Sequence, residues 1–153
     1  MREILFRAKT SNKIWGGNTI KENTWVYGYY RDKVGLPVIS QFETERCGYI
    51  DYEIDENTIG QYTGLTDKNG KKIFEGDIVK LVEPKLKIEW NAIVEFGNPN
   101  GVYDWGYQLK PITNNAIKYE YNLDILCWVG MEDVNVYCEV IGNIYDNPEL
   151  VYV

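Results

Sequence analysis

A chain of 153 residues with a formal net charge of −7 is long enough to bury a hydrophobic core without disulfides or bound metal. It has no histidine, and its three widely spaced cysteines, Cys47, Cys127 and Cys138, argue against a zinc site or a disulfide framework. With no signal peptide and no apolar run of about 18 residues, we expect a cytoplasmic protein without cofactors and without membrane contacts.

The charge is distributed unevenly along the chain. Residues 1–35 hold seven Lys and Arg against three acids, whereas the rest of the chain is acidic. Clustered cations attract phosphate backbones, so the acidic charge of residues 36–153 argues against general nucleic-acid binding. The alternative is a nucleic-acid contact made by the basic N-terminal segment alone. The cations that would make this contact are Arg2, Arg7, Lys9, Lys13 and Lys21.

Alternation of Val, Ile, Tyr, Phe and Trp with other residues dominates the chain and predicts short antiparallel strands. The runs that carry this pattern are residues 4–8, 25–30, 78–82, 93–96 and 134–141. In the last run four apolar residues share one face, as in a half-buried strand: Val134, Val136, Cys138 and Val140. Gly, Asn and Pro separate the runs, and we predict a mainly β fold.

Two segments depart from the strand pattern. Apolar positions between residues 115 and 128 fit the spacing of one short helix, with a strand as the alternative. Near the end, Asn147 precedes Pro148, which predicts a final helical turn with Asn147 as its cap and proline at its first position.

Residues 60–81, GQYTGLTDKNGKKIFEGDIVKL, are typical of the turns of a β fold. Asn69 and Gly70 predict a tight hairpin at residues 68–72 with a type I′ turn, which needs positive φ at both central residues. Gly76 and Asp77 predict a sharp turn before a strand, with Asp77 accepting backbone N–H groups. The alternative, a phosphate-binding loop, lacks both the glycine spacing and the following helix.

Four blocks of this sequence resemble the YopX family. They are REILFRA at residues 2–8, WVYGYY at 25–30, the stretch 59–80 and EVIGNIYDNPEL at 139–150. The blocks span the chain, although residues 83–138 match nothing. The resemblance implies a protein of bacteriophages and prophages, a mostly β structure with an SH3-type barrel in its later part, and no established activity or site residues.

These patterns together predict two parts of the chain. Residues 1–58 form an N-terminal β segment or arm with a basic start, and residues 59–153 form a barrel-like domain. A β domain leaves edge strands that must be covered, and a basic arm suits an acidic neighbour.

Among the residue types that could act in catalysis or bind a metal ion, only Asp and Glu are numerous in this sequence. Without histidine, no Ser-His-Asp or Cys-His site can form. The acids fall in an acidic run and a separate pair, with alternate residues on one strand face: Glu43, Glu45, Asp51, Glu53, Asp55, Glu56, and then Glu75 with Asp77. We interpret them as a solvated face and predict no catalytic, cofactor or metal residues. A carboxylate-based metal-dependent enzyme is the alternative.

The chain is rich in aromatic residues, with thirteen tyrosines and five tryptophans. Seven of them alternate along the chain and must partly share sheet faces: Tyr27, Tyr29, Tyr103, Trp105, Tyr107, Tyr119 and Tyr121. Such rings suit a core or an interface. We therefore predict a protein that acts through protein–protein contacts with itself or with a phage or host protein. Its candidate interface residues are Ile4, Phe6, Trp25 and Tyr27.

Overall fold

The computed structural model describes residues 3–11, 22–45, 47–83, 88–97, 106–112 and 138–152. These residues form ten β-strands in antiparallel sheets and two short 3₁₀ turns, and they contain no α-helix. The prediction of a mainly β fold is therefore confirmed. The chain divides into two compact units, Met1–Tyr62 and Thr63–Val153, so the division falls inside a strand.

The first unit is built from four strands and the beginning of a fifth. In chain order these are β1 (Phe6–Lys9), β2 (Trp25–Asp32), β3 (Pro37–Glu43), β4 (Gly48–Glu53) and the start of β5 (Gly60–Thr66). The strands lie in the order β4-β3-β2-β1-β5, and all the pairs are antiparallel. A 3₁₀ turn at Glu56–Thr58 joins β4 to β5.

One face of this sheet forms the core of the first unit. Ala8 lies opposite Val26 in the register of β1 and β2, and both are buried together with Ile39 and Ile54. Phe6, Tyr52 and Ile59 pack against this cluster. Because side chains alternate across a strand, every second residue of β1 to β4 projects from the opposite face, which we call the outer face.

The second unit contains the rest of β5 and five further strands. These are β6 (Lys72–Phe74), β7 (Asp77–Glu83), β8 (Ile88–Gly97), β9 (Gly106–Pro111) and β10 (Cys138–Asn143). Four of them form a sheet in the order β10-β7-β8-β9. The described sheets are open, so the SH3-type barrel is not confirmed.

The core of the second unit is aliphatic. Its buried residues are Ile73, Val79, Leu81, Ala92, Val94, Leu109, Cys138 and Val140. The predicted alternation holds in β10, where Cys138 and Val140 are buried and Glu139 between them is half-exposed. Val134, Val136 and the predicted helix at residues 115–128 lie outside the described residues.

The hairpin predicted at residues 68–72 is present, but its turn type is not the predicted one. Gly70 has φ +79°, whereas Asn69 is not among the residues with positive φ. Asp67 N–H donates to the Lys71 carbonyl at 2.8 Å, and Gly70 N–H donates to the Asp67 carbonyl at 2.9 Å. These bonds close a three-residue loop, in which only the last residue needs positive φ. The type I′ prediction is therefore wrong.

The carboxylate of Asp67 connects this turn to β10. One oxygen accepts the N–H groups of Asn69 and Lys71 at 2.8 and 2.9 Å, and the other accepts the N–H of Val140 at 3.0 Å. Burial alone would raise the pKa of Asp67, but these three backbone donors outweigh it and hold the pKa below its ordinary value. The ionised form is therefore the one that stabilises this packing.

The other predicted turn residues are found at bends. Gly76 has φ +80°, and the buried Asp77 accepts a backbone N–H as expected, from Phe74 at 2.8 Å. The final helical turn is a 3₁₀ turn at Pro148–Leu150 with proline at its start. Asn147 does not cap it with its side chain, whose Oδ1 accepts the N–H of Asn143 instead, at 3.3 Å.

Gly70→Val is expected to lower the free energy of unfolding by about 1–2 kcal/mol, because a β-branched residue tolerates positive φ poorly. No atom lies within 4 Å of the added Cβ position, so the loss reports backbone strain rather than a clash. Urea unfolding measures it. Gly70→Asn is the control and should lose less, since asparagine accepts the left-handed region. Equal losses in both variants would contradict this explanation.

Asp67→Asn is expected to lower the free energy of unfolding at pH 7 by about 1–3 kcal/mol, because buried backbone donors lose a charged acceptor. The pKa of Asp67 is lowered in the folded state. Its contribution is therefore present above the ordinary carboxyl pKa of about 3.9 and is lost as the pH falls through the folded value.

Urea unfolding between pH 7 and pH 2 tests this expectation, since the difference between Asp67→Asn and the unmodified protein should shrink at acidic pH. Glu89→Gln is the control, because Glu89 makes only an exposed ion pair with Lys80, at 2.6 Å. A difference that stays constant across this pH range would show that the charge of Asp67 is not what stabilises the turn.

Candidate functional site

The outer face of the first unit carries a row of exposed aromatic residues. Phe42 of β3 lies opposite Tyr49 of β4, and Tyr29 of β2 lies beside them, opposite Ser40. Tyr27, two residues before Tyr29, is on the same face. The exposed fractions of Tyr27, Tyr29, Phe42 and Tyr49 are 42%, 54%, 53% and 58%. We call these four residues the aromatic face.

Two rings of this face pack against each other without being buried. The centroids of the Phe42 and Tyr49 rings are 5.3 Å apart, and the ring planes meet at 69°, an edge-to-face contact. Such pairs are stabilised by the ring quadrupoles as well as by area. The pair leaves more than half of each side chain open to solvent, so it can contact a further surface.

A polar group lies next to the rings on the same face. The hydroxyl of Ser40 donates to Asp51 Oδ1 at 2.6 Å, and Lys33 Nζ lies 2.8 Å from Asp51 Oδ2. The hydrogen bond from Lys33, and then that from Ser40, hold the pKa of Asp51 below its ordinary value. Arg31 Nη1 reaches Ser40 Oγ at 3.5 Å. The face therefore keeps ionised groups beside its rings at neutral pH.

Two cations of the basic N-terminal segment lie at the end of this face. Arg7 is opposite Tyr27 and Lys9 is opposite Trp25 in the register of β1 and β2. The guanidinium carbon of Arg7 lies 4.7 Å from the centroid of the Trp25 ring, and Lys9 Nζ lies 5.5 Å from it. Both residues are buried, so they present little charge to a phosphate backbone.

The four residues of the predicted interface divide between the two faces of the sheet. Tyr27 is on the aromatic face, and the half-buried Trp25 lies on the same side beneath Arg7 and Lys9. Phe6 packs against the core on the opposite face, with its ring 6.0 Å from that of Tyr30. Ile4, which precedes β1, is 60% exposed. The predicted turn residues 69, 70, 76 and 77 belong to the second unit.

The predicted acidic row does not form a carboxylate site. Asp51 and Glu53 share the outer face of β4, as their spacing predicts, but Asp55 lies beyond the strand. There its Oδ1 accepts the N–H of Asn57 at 3.0 Å and caps the 3₁₀ turn. Within the described ranges, no group of three or more Cys, Asp and Glu side chains could hold a metal ion.

Sequence reasoning missed Phe42 and Tyr49 because it did not predict β3 and β4. The available signal was a pair of aromatic residues flanking a short polar stretch, FETERCGY at residues 42–49, which is a hairpin pattern. Of the other aromatic residues singled out, Tyr107 is half-buried against the core of the second unit. Tyr103, Trp105, Tyr119 and Tyr121 lie outside the described residues.

The family to which this chain belongs follows from a comparison with models of known protein families. A family model described as YopX protein matches residues 5–152. The chain belongs to the YopX family. A search of curated proteins found no significant match to this YopX-family chain. Among the residues that the structure describes, no helix is long and apolar enough to cross a membrane.

Phe42→Ser and Tyr49→Ser are each expected to lower the free energy of unfolding by no more than about 1.5 kcal/mol, because both side chains are more than half exposed. A double-mutant cycle by urea unfolding should give a coupling of about 0.5–1.5 kcal/mol for the pair. Loss of folding in either single variant would mean that these rings belong to a core.

Proposed function

We propose that this YopX-family protein acts by binding proteins, including a second copy of itself, through the aromatic face. It is an accessory protein of a phage or prophage that works in the cytoplasm of the bacterial host and catalyses no reaction of its own. The observation that carries the proposal is the row of four rings that remain exposed on an ordered sheet. Exposed contiguous apolar surface of this kind marks interaction sites.

The composition of the aromatic face favours a protein partner. Tyr and Phe are enriched at protein interfaces, where they bury a large area at a small cost in conformational entropy. Beside the rings, the exposed Arg31 and the partly exposed Asp51 carry hydrogen-bond donors and acceptors respectively. An interface built on this face would therefore have an aromatic centre and a polar margin.

The alternative partner is a nucleic acid, and the same geometry supports it less. Base stacking needs exposed rings, which are present, together with cations that can reach the phosphates. Arg7 and Lys9 are buried over Trp25, and Lys33 is paired with Asp51. The carboxylates of Asp51 and Glu53 also lie on this face.

Two details of the proposal rest on the resemblance to the YopX family rather than on the aromatic face. The first is the phage or prophage origin, and with it the bacterial cytoplasm as the compartment. The second is an SH3-type barrel in the second unit, which would require closure of its sheet. An experimental structure of the whole chain would test the barrel.

Sedimentation velocity at micromolar concentration is expected to show a homo-oligomer. Phe42→Ser combined with Tyr49→Ser should raise the dissociation constant at least tenfold, because central aromatic residues contribute most to interfaces. Raising the salt concentration should weaken the association only modestly, since exposed ion pairs contribute about 0–1 kcal/mol each.

Phe96→Ser is the matched control. Phe96 is also an exposed aromatic residue, with its ring 5.1 Å from that of Tyr107, but it lies in the second unit. This variant should associate like the unmodified protein. A strict monomer at low and high salt alike would refute self-association. Binding of a labelled single-stranded oligonucleotide with a steep salt dependence, in place of association, would favour the nucleic-acid alternative.

A further inference from the structure

The tip of the hairpin between β5 and β6 exposes an asparagine that is followed directly by a glycine. Lys68, Asn69 and Gly70 are all exposed, and no described atom lies within 4 Å of the position where a Cβ atom on Gly70 would stand. Asn69 is held through its backbone N–H, which donates to Asp67 Oδ1 at 2.8 Å. None of the described residues bonds its side-chain amide, which is therefore open to solvent.

An asparagine followed by a glycine can react with its own backbone. The nitrogen of the next residue attacks the side-chain carbonyl carbon, and glycine crowds this attack least because it has no Cβ atom. Asparagine is accordingly one of the thermally labile residues of proteins. Every other asparagine that the structure describes precedes a residue with a Cβ atom, and the second Asn-Gly pair of the sequence, residues 100–101, lies outside the described residues.

We propose that Asn69 is a site of spontaneous deamidation, and that the turn held by Asp67 sets its rate. Gly70 gives up its amide proton to water or hydroxide, and its nitrogen forms a bond to Cγ of Asn69. The bond from Cγ to the side-chain nitrogen breaks, and that nitrogen takes up a proton and leaves as ammonia. The product is a five-membered succinimide ring. Water then opens the ring at one of its two carbonyl carbons, which gives either aspartate or isoaspartate.

The folded turn restrains this reaction. Gly70 N–H donates to the Asp67 carbonyl at 2.9 Å, so the proton that must leave is held in a hydrogen bond. Asp67 Oδ1 also accepts the N–H groups on either side of this amide, those of Asn69 and Lys71, at 2.8 and 2.9 Å. Ring closure therefore requires the turn to open locally, and its rate follows the population of the opened turn.

Isoaspartate at position 69 changes the connection between this turn and β10. Its main chain runs through Cβ and Cγ, which adds one carbon to a loop whose backbone N–H groups converge on Asp67. The other oxygen of Asp67 accepts the N–H of Val140 at 3.0 Å, and Lys68 N–H donates to the Cys138 carbonyl at 2.9 Å. Both bonds hold β10, so a lengthened loop loosens this strand. The aspartate product keeps the length of the loop.

The modification needs no enzyme and accumulates with the age of the protein. Ammonia leaves into the solvent, so the side-chain amide is not restored once it is lost. The residues concerned belong to the second unit, and the proposal is therefore independent of the self-association proposed through the aromatic face.

Incubation of the purified protein at pH 8, followed by cleavage after glutamate and mass spectrometry, measures the modification. This cleavage separates residues 57–75 from residues 96–120, so the two Asn-Gly pairs are read independently. The synthetic peptide of residues 57–75 is the reference without a fold, and it should react at least about tenfold faster than the folded protein. Chromatography against synthetic standards distinguishes aspartate from isoaspartate. This comparison depends on no variant.

Asp67→Asn tests the control of the rate by the turn. The variant removes the charged acceptor of the backbone N–H groups, so deamidation at position 69 should be about fivefold faster or more in the folded protein. Asn69→Gln is the matched control for the site. Glutamine would have to close a six-membered ring, which is far slower, so this variant should keep its mass during the same incubation.

Hydrogen exchange of the peptide that contains β10 is the second readout. Exchange should become faster as isoaspartate accumulates at position 69, and it should stay unchanged in Asn69→Gln. An unmodified position 69 in the folded protein and in Asp67→Asn, after full conversion of the peptide, would overturn the site. Equal rates in the peptide, the folded protein and Asp67→Asn would overturn control by the turn. Isoaspartate with unchanged exchange of β10 would overturn the loosening of this strand.

Discussion

The close approach of β2 to β3 at Gly28 fixes the arrangement of the first unit. A Cβ atom on Gly28 would lie 2.3 Å from the carbonyl oxygen of Ser40, a distance that no other residue could accommodate without moving the strands. In this register Tyr29 lies opposite Ser40. Because side chains alternate, a slip of one residue would turn the rings inward and expose Ile39. The register that buries the small aliphatic residues of the core therefore also exposes the aromatic face.

Two turns of this chain show how differently the same backbone conformation can be used. Gly70 takes positive φ in a hairpin whose tip lies in open space, and glycine is the unstrained choice there. Val34, in the turn between β2 and β3, takes a similar φ at an equally open tip, where glycine or asparagine would cost less. Asp67 secures the first turn to β10. The second turn carries a fully exposed side chain that adds no burial to the fold.

Much of the fold follows from local sequence patterns, and much of the candidate site does not. Alternating apolar residues predicted β1, β2, β7, β8 and β10. The segment of β3 and β4 was missed because a fully buried serine, Ser40, and several acids interrupt its alternation. The partnership of Phe42 with Tyr49 depends on that hairpin, and the bond from Val140 to Asp67 joins residues 73 apart. Contacts between strands of this kind have no local signature.

The two exposed aromatic pairs share their geometry but differ in what surrounds them. Phe42 with Tyr49 and Phe96 with Tyr107 have nearly the same geometry, with centroids 5.3 and 5.1 Å apart and ring planes at 69° and 65°. Tyr107, however, packs against the core of its unit, so its pair covers apolar residues beneath it. Neither Phe42 nor Tyr49 has such a role, and their pair continues into further exposed rings on β2. Ring geometry alone therefore does not distinguish the two pairs, whereas the extension of exposed rings across three strands is found only for the pair of Phe42 and Tyr49 among the described residues.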